Sequence, residues 1–293
     1  MTVLLAVDIG GTKVAARSSA ATESAVVTRT WPAKSDREAD LDLVFEVAGQ
    51  ALRAAGAERP QVAVVAFPGS LNPAGRVQRW PVRPDWAGLD LLDVLTDRWD
   101  CRPQVHDDAL LAGYAEATTL AASGTRPDGL LYLGLGTGVG GAYTPVRPGP
   151  PDRPLCPEDL RAHELGHVVV HPDSDRRCDC GRPGCLQAYA SGRAVHRRSA
   201  EVGRSAALAE AADACALAVA NSAELQPVHS VVLGGGLAAA SAELPELLAG
   251  QIRRRMRAGT PVPRVRPAAH GAGSSLEGAR LTAHHESLRR RPR

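Results

Sequence analysis

Short apolar runs alternate along this chain with longer stretches of helical spacing. Residues 3–7 are apolar and close on Asp8, a Gly10-Gly11 turn and a second run at 14–17. A third β-like run covers 25–31, so the first thirty residues predict a strand meander around a tight glycine turn. Over 40–55 the period lengthens, with Leu41, Val44, Phe45, Ala48 and Leu52 on one helical face. Residues 61–67 predict a buried strand, 89–99 a helix, 104–106 a short strand and 109–122 a helix. Strands follow at 130–134 and 142–144, and a continuation of the β pattern is expected at Val168-Val169-Val170. Residues 188–220 are mostly helical, 230–233 a strand, and 244–257 and 271–283 helices. Between them lie a loop at 145–157 with six prolines and a polar, Cys-rich loop at 173–186. Strands alternating with helices imply an α/β protein.

Composition narrows the class without naming it. The 293 residues are 44% hydrophobic and 23% charged, with a net charge of +2, ordinary for a soluble protein. Such a charge calls for neither nucleic acid nor membrane as a partner. The basic cluster of Arg289, Arg290, Arg291 and Arg293 reads as a solvated tail. No segment nears the roughly 18 apolar residues of a membrane span. The N-terminal run has no basic flank and meets Asp8 at once, so a cytoplasmic protein with reduced thiols is expected.

Five stretches carry candidate chemistry. Asp8-Ile9-Gly10-Gly11-Thr12-Lys13 is either a plain hairpin turn or a turn whose N–H groups, Thr12 and Lys13 meet an anion. Gly136-Thr137-Gly138-Val139-Gly140-Gly141 contains G-x-G-x-x-G, but a strand follows where a dinucleotide fold needs a helix, leaving a phosphate-binding hairpin turn. Gly234-Gly235-Gly236 ends a strand and permits close backbone approach to a ligand. His106-Asp107-Asp108 lies where a strand enters a helix; its carboxylates either cap that helix or supply a general base. Finally, His163-Glu164-Leu165-Gly166-His167 matches the H-E-x-x-H of zinc proteases, a motif that works only on a helix. Gly166 and the following valines argue against one. Cys178, Cys180 and Cys185 with His167 instead compose a closed, structural Zn²⁺ site with no open position for a catalytic water.

In this order the motifs resemble those of the ROK family, sugar kinases and repressors, and most closely its glucokinase-type members. Asp8–Lys13 resembles the first phosphate motif, residues 67–75 the segment leading to the sugar, and 106–109 the family's Asn-Asp-Ala. Residues 136–141 resemble the second phosphate motif, 164–167 Glu-x-Gly-His, 178–192 the zinc-loop signature and 232–236 the adenosine motif. The resemblance implies a two-domain actin-like (ribonuclease H-like) α/β fold. One domain would be 1–110, completed by a helix at 271–285, and the other 111–270, with ATP and sugar in the cleft between them. Repressors of the family carry an extra DNA-binding domain before the first strand, so an enzyme is expected here.

Further implications concern ligands and roles. Asp8, Gly10, Gly11, Thr12, Lys13, Gly136, Thr137, Gly138, Gly234, Gly235 and Gly236 would bind ATP, accompanied by Mg²⁺. Asp108 would be the base for a sugar hydroxyl, the 6-hydroxyl, and Asp107, Glu164, His167 and Gln187 would contact the sugar. His167, Cys178, Cys180 and Cys185 would hold Zn²⁺, and a homodimer is expected. Three positions depart from the family pattern: Asp107 stands for Asn, Gln187 for Glu and Val82 for Asn. An anion at Asp107, where the family has Asn, suits an ammonium, which points to an amino sugar such as kanosamine, of antibiotic pathways. The alternatives are an ordinary glucokinase, a catalytically weak sugar sensor and, least of all, a metalloprotease.

Overall fold

The computed structural model describes residues 2–147 and 153–290. Residues 148–152 of the proline-rich loop, and Arg291 and Arg293 of the basic C-terminus, lie outside them. The chain divides into two compact units, Met1–Leu111 with Ser275–Arg293, and Ala112–Ser274.

The first unit opens with an antiparallel meander, β1 (Leu4–Ile9), β2 (Lys13–Ser19) and β3 (Val27–Thr30). Helix α1 (Arg37–Ala54) returns the chain to β4 (Val62–Phe67), parallel to β1. A small hairpin, β5 (Ser70–Leu71) and β6 (Val77–Arg79), and helix α2 (Leu91–Trp99) lead to β7 (Gln104–Asp107), parallel to β4. The sheet order is β3-β2-β1-β4-β7. Helix α3 (Asp108–Ala122) follows.

Why these residues choose these elements is local. Asp36 Oδ1 accepts the Ala39 N–H at 2.9 Å and caps α1, with Glu38 and Asp40 in its first turn. Every residue of β4 is buried, as a central parallel strand covered on both faces requires. One face of this sheet packs α1 and an aromatic cluster of Trp31, Phe67, Trp80 and Trp86, in which the Trp80 and Trp86 rings stand 4.8 Å apart. The other face packs Ala6, Val62, Val64 and Ala66 against Leu111, Leu276, Ala279 and Ala283. The last three belong to α9 (Ser274–Arg289), whose Gly278 lies so close that any side chain would collide with the Leu111 carbonyl.

In the second unit the same strand plan recurs. β8 (Leu130–Leu135), β9 (Val139–Thr144) and β10 (Arg161–His163) form an antiparallel meander, and β11 (Ser230–Gly234) and β12 (Arg264–Pro267) add in parallel, giving β10-β9-β8-β11-β12. Its helices are α4 (Gln187–Ala190), α5 (Gly192–Val202), α6 (Arg204–Leu225), α7 (Gly235–Ala239) and α8 (Leu244–Arg255). The core sets Leu131, Leu133 and Val231 against the alanine face of α6 and Leu244, Leu248 and Ile252 of α8. Among the described residues, no helix is long and apolar enough to cross a membrane.

The structure corrects several sequence expectations. The valine run 168–170 forms no strand; a single bridge joins Val169 to Cys185, because its partner is a loop too irregular to extend the ladder. β9 begins at Val139, earlier than expected, so only Gly136-Thr137-Gly138 form the turn. The helical region 188–220 is three helices, broken at Ser191 and at Gly203, whose φ is 84°. β5, β6, β10 and β12 have no counterpart in the expectation.

Candidate active site

In the first unit, the parallel strands β1, β4 and β7 end on a common edge, where Asp8 pairs in register with Ala66, and Phe67 with Asp107. The C-terminal edge of parallel strands is where α/β sheets hold their ligands. Three carboxylates collect there. Asp107 ends β7, and its Oδ1 accepts the Leu110 N–H at 2.8 Å, so it caps α3. Asp108 is the first residue of that helix and is half-buried. Burial, then the charges of Asp107 and Asp8, push its carboxyl up to about 8. Asp8 is buried, and burial raises it to about 6, opposed by a 2.8 Å hydrogen bond from Ser275 Oγ and by the Lys13 charge. Such an edge is ready to take up a proton or a cation. Sequence reasoning missed Ser275: a serine opening a helix carries no signal for a partner 267 residues away.

The Gly10-Gly11 turn adjoins this edge and is pinned from two sides. The Gly10 N–H donates to the Lys13 carbonyl at 2.9 Å, and the Trp31 indole donates to the Gly10 carbonyl at 2.7 Å. Thr12 is exposed and Lys13 half-buried.

The second unit holds the other two glycine turns. Gly192 N–H donates to the Gly136 carbonyl at 2.7 Å, and Gln187 Oε1 accepts the Val139 N–H at 3.2 Å, so Gly136-Thr137-Gly138 is a fixed hairpin tip. Gly234 and Gly235 are demanded by the fold: a side chain on the first would strike Tyr132, and Gly235 has φ 84° with its Cβ position 2.5 Å from the Leu135 carbonyl. Gly136 and Gly236 differ. Neither has a positive φ, and among the described residues, chain neighbours aside, no atom lies within 4 Å of where a Cβ would stand. At both places a side chain would meet open space, so the contacts within the fold do not by themselves demand glycine there.

Around the H-E-x-x-H stretch the structure forms no α-helix. His163 ends β10, paired with Gly141 and stacked 5.7 Å from the Tyr143 ring. Leu165–His167 is a single 3₁₀ turn, and Gly166 is forced by the Val139 carbonyl, which occupies the space of any side chain there. Glu164 is exposed. His167 instead meets the cysteines: its Nδ1 is 3.5 Å from Cys178 Sγ, and Cys180 Sγ is 3.7 Å from Cys185 Sγ. All four ligand atoms lie within 4.8 Å of one another. Tetrahedral bonds of about 2.3 Å to sulfur and about 2.0 Å to nitrogen give edges of roughly 3.8 and 3.5 Å, so the set could hold one metal ion. His163 takes no part in it.

Asp8 to Lys13, Asp107 and Asp108 therefore fall in the first unit. Gly136 to Gly138, Glu164, His167, Gln187, the three cysteines and Gly234 to Gly236 fall in the second.

The chain is similar to known proteins along nearly its whole length. A model of the ROK family matches residues 4–286. The kanosamine kinase of Amycolatopsis mediterranei (strain S699) is 38% identical over a 304-position alignment covering 94% of each chain. Among solved structures, a ROK hexokinase from Thermus thermophilus aligns with a TM-score of 0.75 at 27% identity, covering 98% of this chain and 100% of the other. A ROK family glucokinase from Streptomyces griseus in complex with glucose and AMPPNP shares the fold, with a TM-score of 0.75 at 23% identity and coverage of 97% and 99%.

Proposed function

The chain belongs to the ROK family and is an ATP-dependent sugar kinase; from that premise we propose that its acceptor is a glucose-like amino sugar, phosphorylated at its 6-hydroxyl with Asp108 as general base. Phosphoryl transfer needs little covalent help from a protein beyond positioning, charge stabilisation and a group that accepts the hydroxyl proton. Asp108 suits that last role. Burial and the charges of Asp107 and Asp8 raise its carboxyl, which makes it, once ionised, a stronger proton acceptor than an ordinary carboxylate, and backbone N–H groups at the start of α3 hydrogen-bond to it. The glycine turns at Gly10-Gly11, Gly136–Gly138 and Gly234–Gly236 supply backbone donors for phosphates. The carboxylate-rich edge suits the Mg²⁺ that accompanies the nucleotide and neutralises its charge.

The observation that carries the amino-sugar reading is the Asp107 cap. An Asn would cap α3 equally well through its side-chain oxygen and would offer an NH₂ with its other atom. Asp offers a second acceptor and a negative charge there. A sugar ammonium only donates, so the two match. The identity to a kanosamine kinase across 94% of the chain supports the same choice. His167, Cys178, Cys180 and Cys185 hold one structural Zn²⁺ in this reading, fixing the turn that carries Glu164. A panel of hexoses and amino sugars in a coupled ADP-release assay tests it. Preference for kanosamine or another amino sugar is expected; preference for glucose leaves an ordinary glucokinase, and sugar binding without turnover leaves a sensor.

A further inference from the structure

Gln187 makes a contact that the proposed chemistry leaves unused. It opens α4 two residues after Cys185, and its Oε1 accepts the Val139 N–H at 3.2 Å. A backbone N–H can only donate, so the amide turns its oxygen to Val139 and leaves its NH₂ for other partners. Val139 is the first residue beyond the Gly136-Thr137-Gly138 tip. A Cβ on Gly138 would stand 3.0 Å from Gln187 Oε1, so the side chain lies directly under the tip. Just beyond α4, Gly192, the first residue of α5, holds the Gly136 carbonyl. The tip is thus gripped from both ends of one short segment, residues 187–192.

That segment is continuous with the cysteine cluster. Cys185 and Leu186 are fully buried, and the Leu186 N–H donates to the Val168 carbonyl at 2.8 Å. His167 precedes Val168, so both strands of this small crossing lead straight to metal-ligand positions. On the opposite side, Gly166 presses on the Val139 carbonyl and Leu165 on Gly141. Val139 is therefore bonded at its N–H by the residue two positions after Cys185, and its carbonyl lies against Gly166, the residue before His167.

We propose that Gln187 is a positioning residue for the nucleotide, transmitting the order of the metal-bearing loop to the second glycine turn, so that metal occupancy sets nucleotide affinity. The inference rests on reading the chain as an ATP-dependent kinase. It gives the metal cluster a task on the phosphate side in addition to the sugar side.

The test is ADP titration by isothermal calorimetry, with zinc per chain measured by plasma mass spectrometry. Gln187→Ala should weaken ADP binding about two- to tenfold, the range for loss of one net hydrogen bond, while keeping its zinc. Gln187→Glu retains an acceptor for the Val139 N–H and should bind ADP within twofold of wild type. Chelation should weaken ADP binding to wild type but add little to the loss in Gln187→Ala, because both act through one linkage. Equal ADP affinity in wild type and Gln187→Ala, or an equal further loss on chelation in both, overturns the coupling. A wild-type protein that holds zinc yet binds no ADP instead overturns the kinase reading on which it rests.

Discussion

At the scale of single residues, the proposed function gives two neighbouring carboxylates separable tasks. Asp108→Asn should lower kcat by about 10²–10⁴-fold while sugar binding survives, because only the proton acceptor is lost. Retention of more than a tenth of wild-type turnover would remove Asp108 from the base role. The same substitution has a stability signature. A carboxyl raised to about 8 in the folded chain is held protonated there, so folding is favoured below the unfolded value near 3.8 and loses that advantage as pH climbs towards 8. Asn carries no such burden. Melting curves should show Asp108→Asn little different from wild type at pH 4 and more stable than wild type at pH 9. Asp107→Asn keeps the α3 cap and so should fold normally. It should lose roughly ten- to hundredfold in kcat/KM on an amino sugar, the value of a charge-assisted hydrogen bond of about 1.5–3 kcal/mol, and gain relative activity on glucose. The wild-type preference should also fade as pH rises and the sugar amine deprotonates. An unchanged substrate ratio in Asp107→Asn contradicts the amino-sugar assignment.

The Cys-rich loop sets the next scale, that of elements. Cys180→Ser should leave the protein without its full complement of one zinc per chain and loosen the turn carrying Glu164, seen as faster amide exchange over 164–190. His163→Ala should keep its zinc, since His163 stacks on Tyr143 away from the cluster. Loss of metal in that variant would return the H-E-x-x-H stretch to consideration as a ligand set. Elements differ in how plainly the sequence announces them. β1, β4, β8 and β11 are buried apolar runs and were legible as strands, and the cluster of His167 with the three cysteines was legible because its members fall within 19 positions of one another. The edge strands β10 and β12 were not. They are three or four residues long and carry arginines and a proline, as exposed edges do. Val168–Val170 has strand composition, but its hydrogen-bond partners lie in a loop. The contacts of Asp8 with Ser275, and of Val139 with Gln187, join positions 267 and 48 residues apart, and no local pattern encodes them.

For the whole molecule, the notable property is that the first unit is built from both ends of the chain. Its sheet buries Ala6, Val62, Val64 and Ala66 under α9, whereas, among the described residues, the hydrophobic cluster around Leu131, Leu133 and Val231 in the second unit includes no residue of that helix. A chain truncated after residue 273 should therefore keep zinc in the second unit but expose the sheet of the first, binding a hydrophobic dye and losing solubility. Truncated protein that stays soluble and dye-free would show that α9 is dispensable to that sheet. The same connectivity orders events on the ribosome. At about 5–20 residues per second, roughly a quarter-minute to a minute separates the synthesis of Asp8 from that of Ser275, its hydrogen-bond partner. During that interval the second unit can close on its own residues while the first waits with one face of its sheet bare. β1 is made before the whole of the second unit yet is covered only after it, so on a nascent chain it is this strand that needs protection longest.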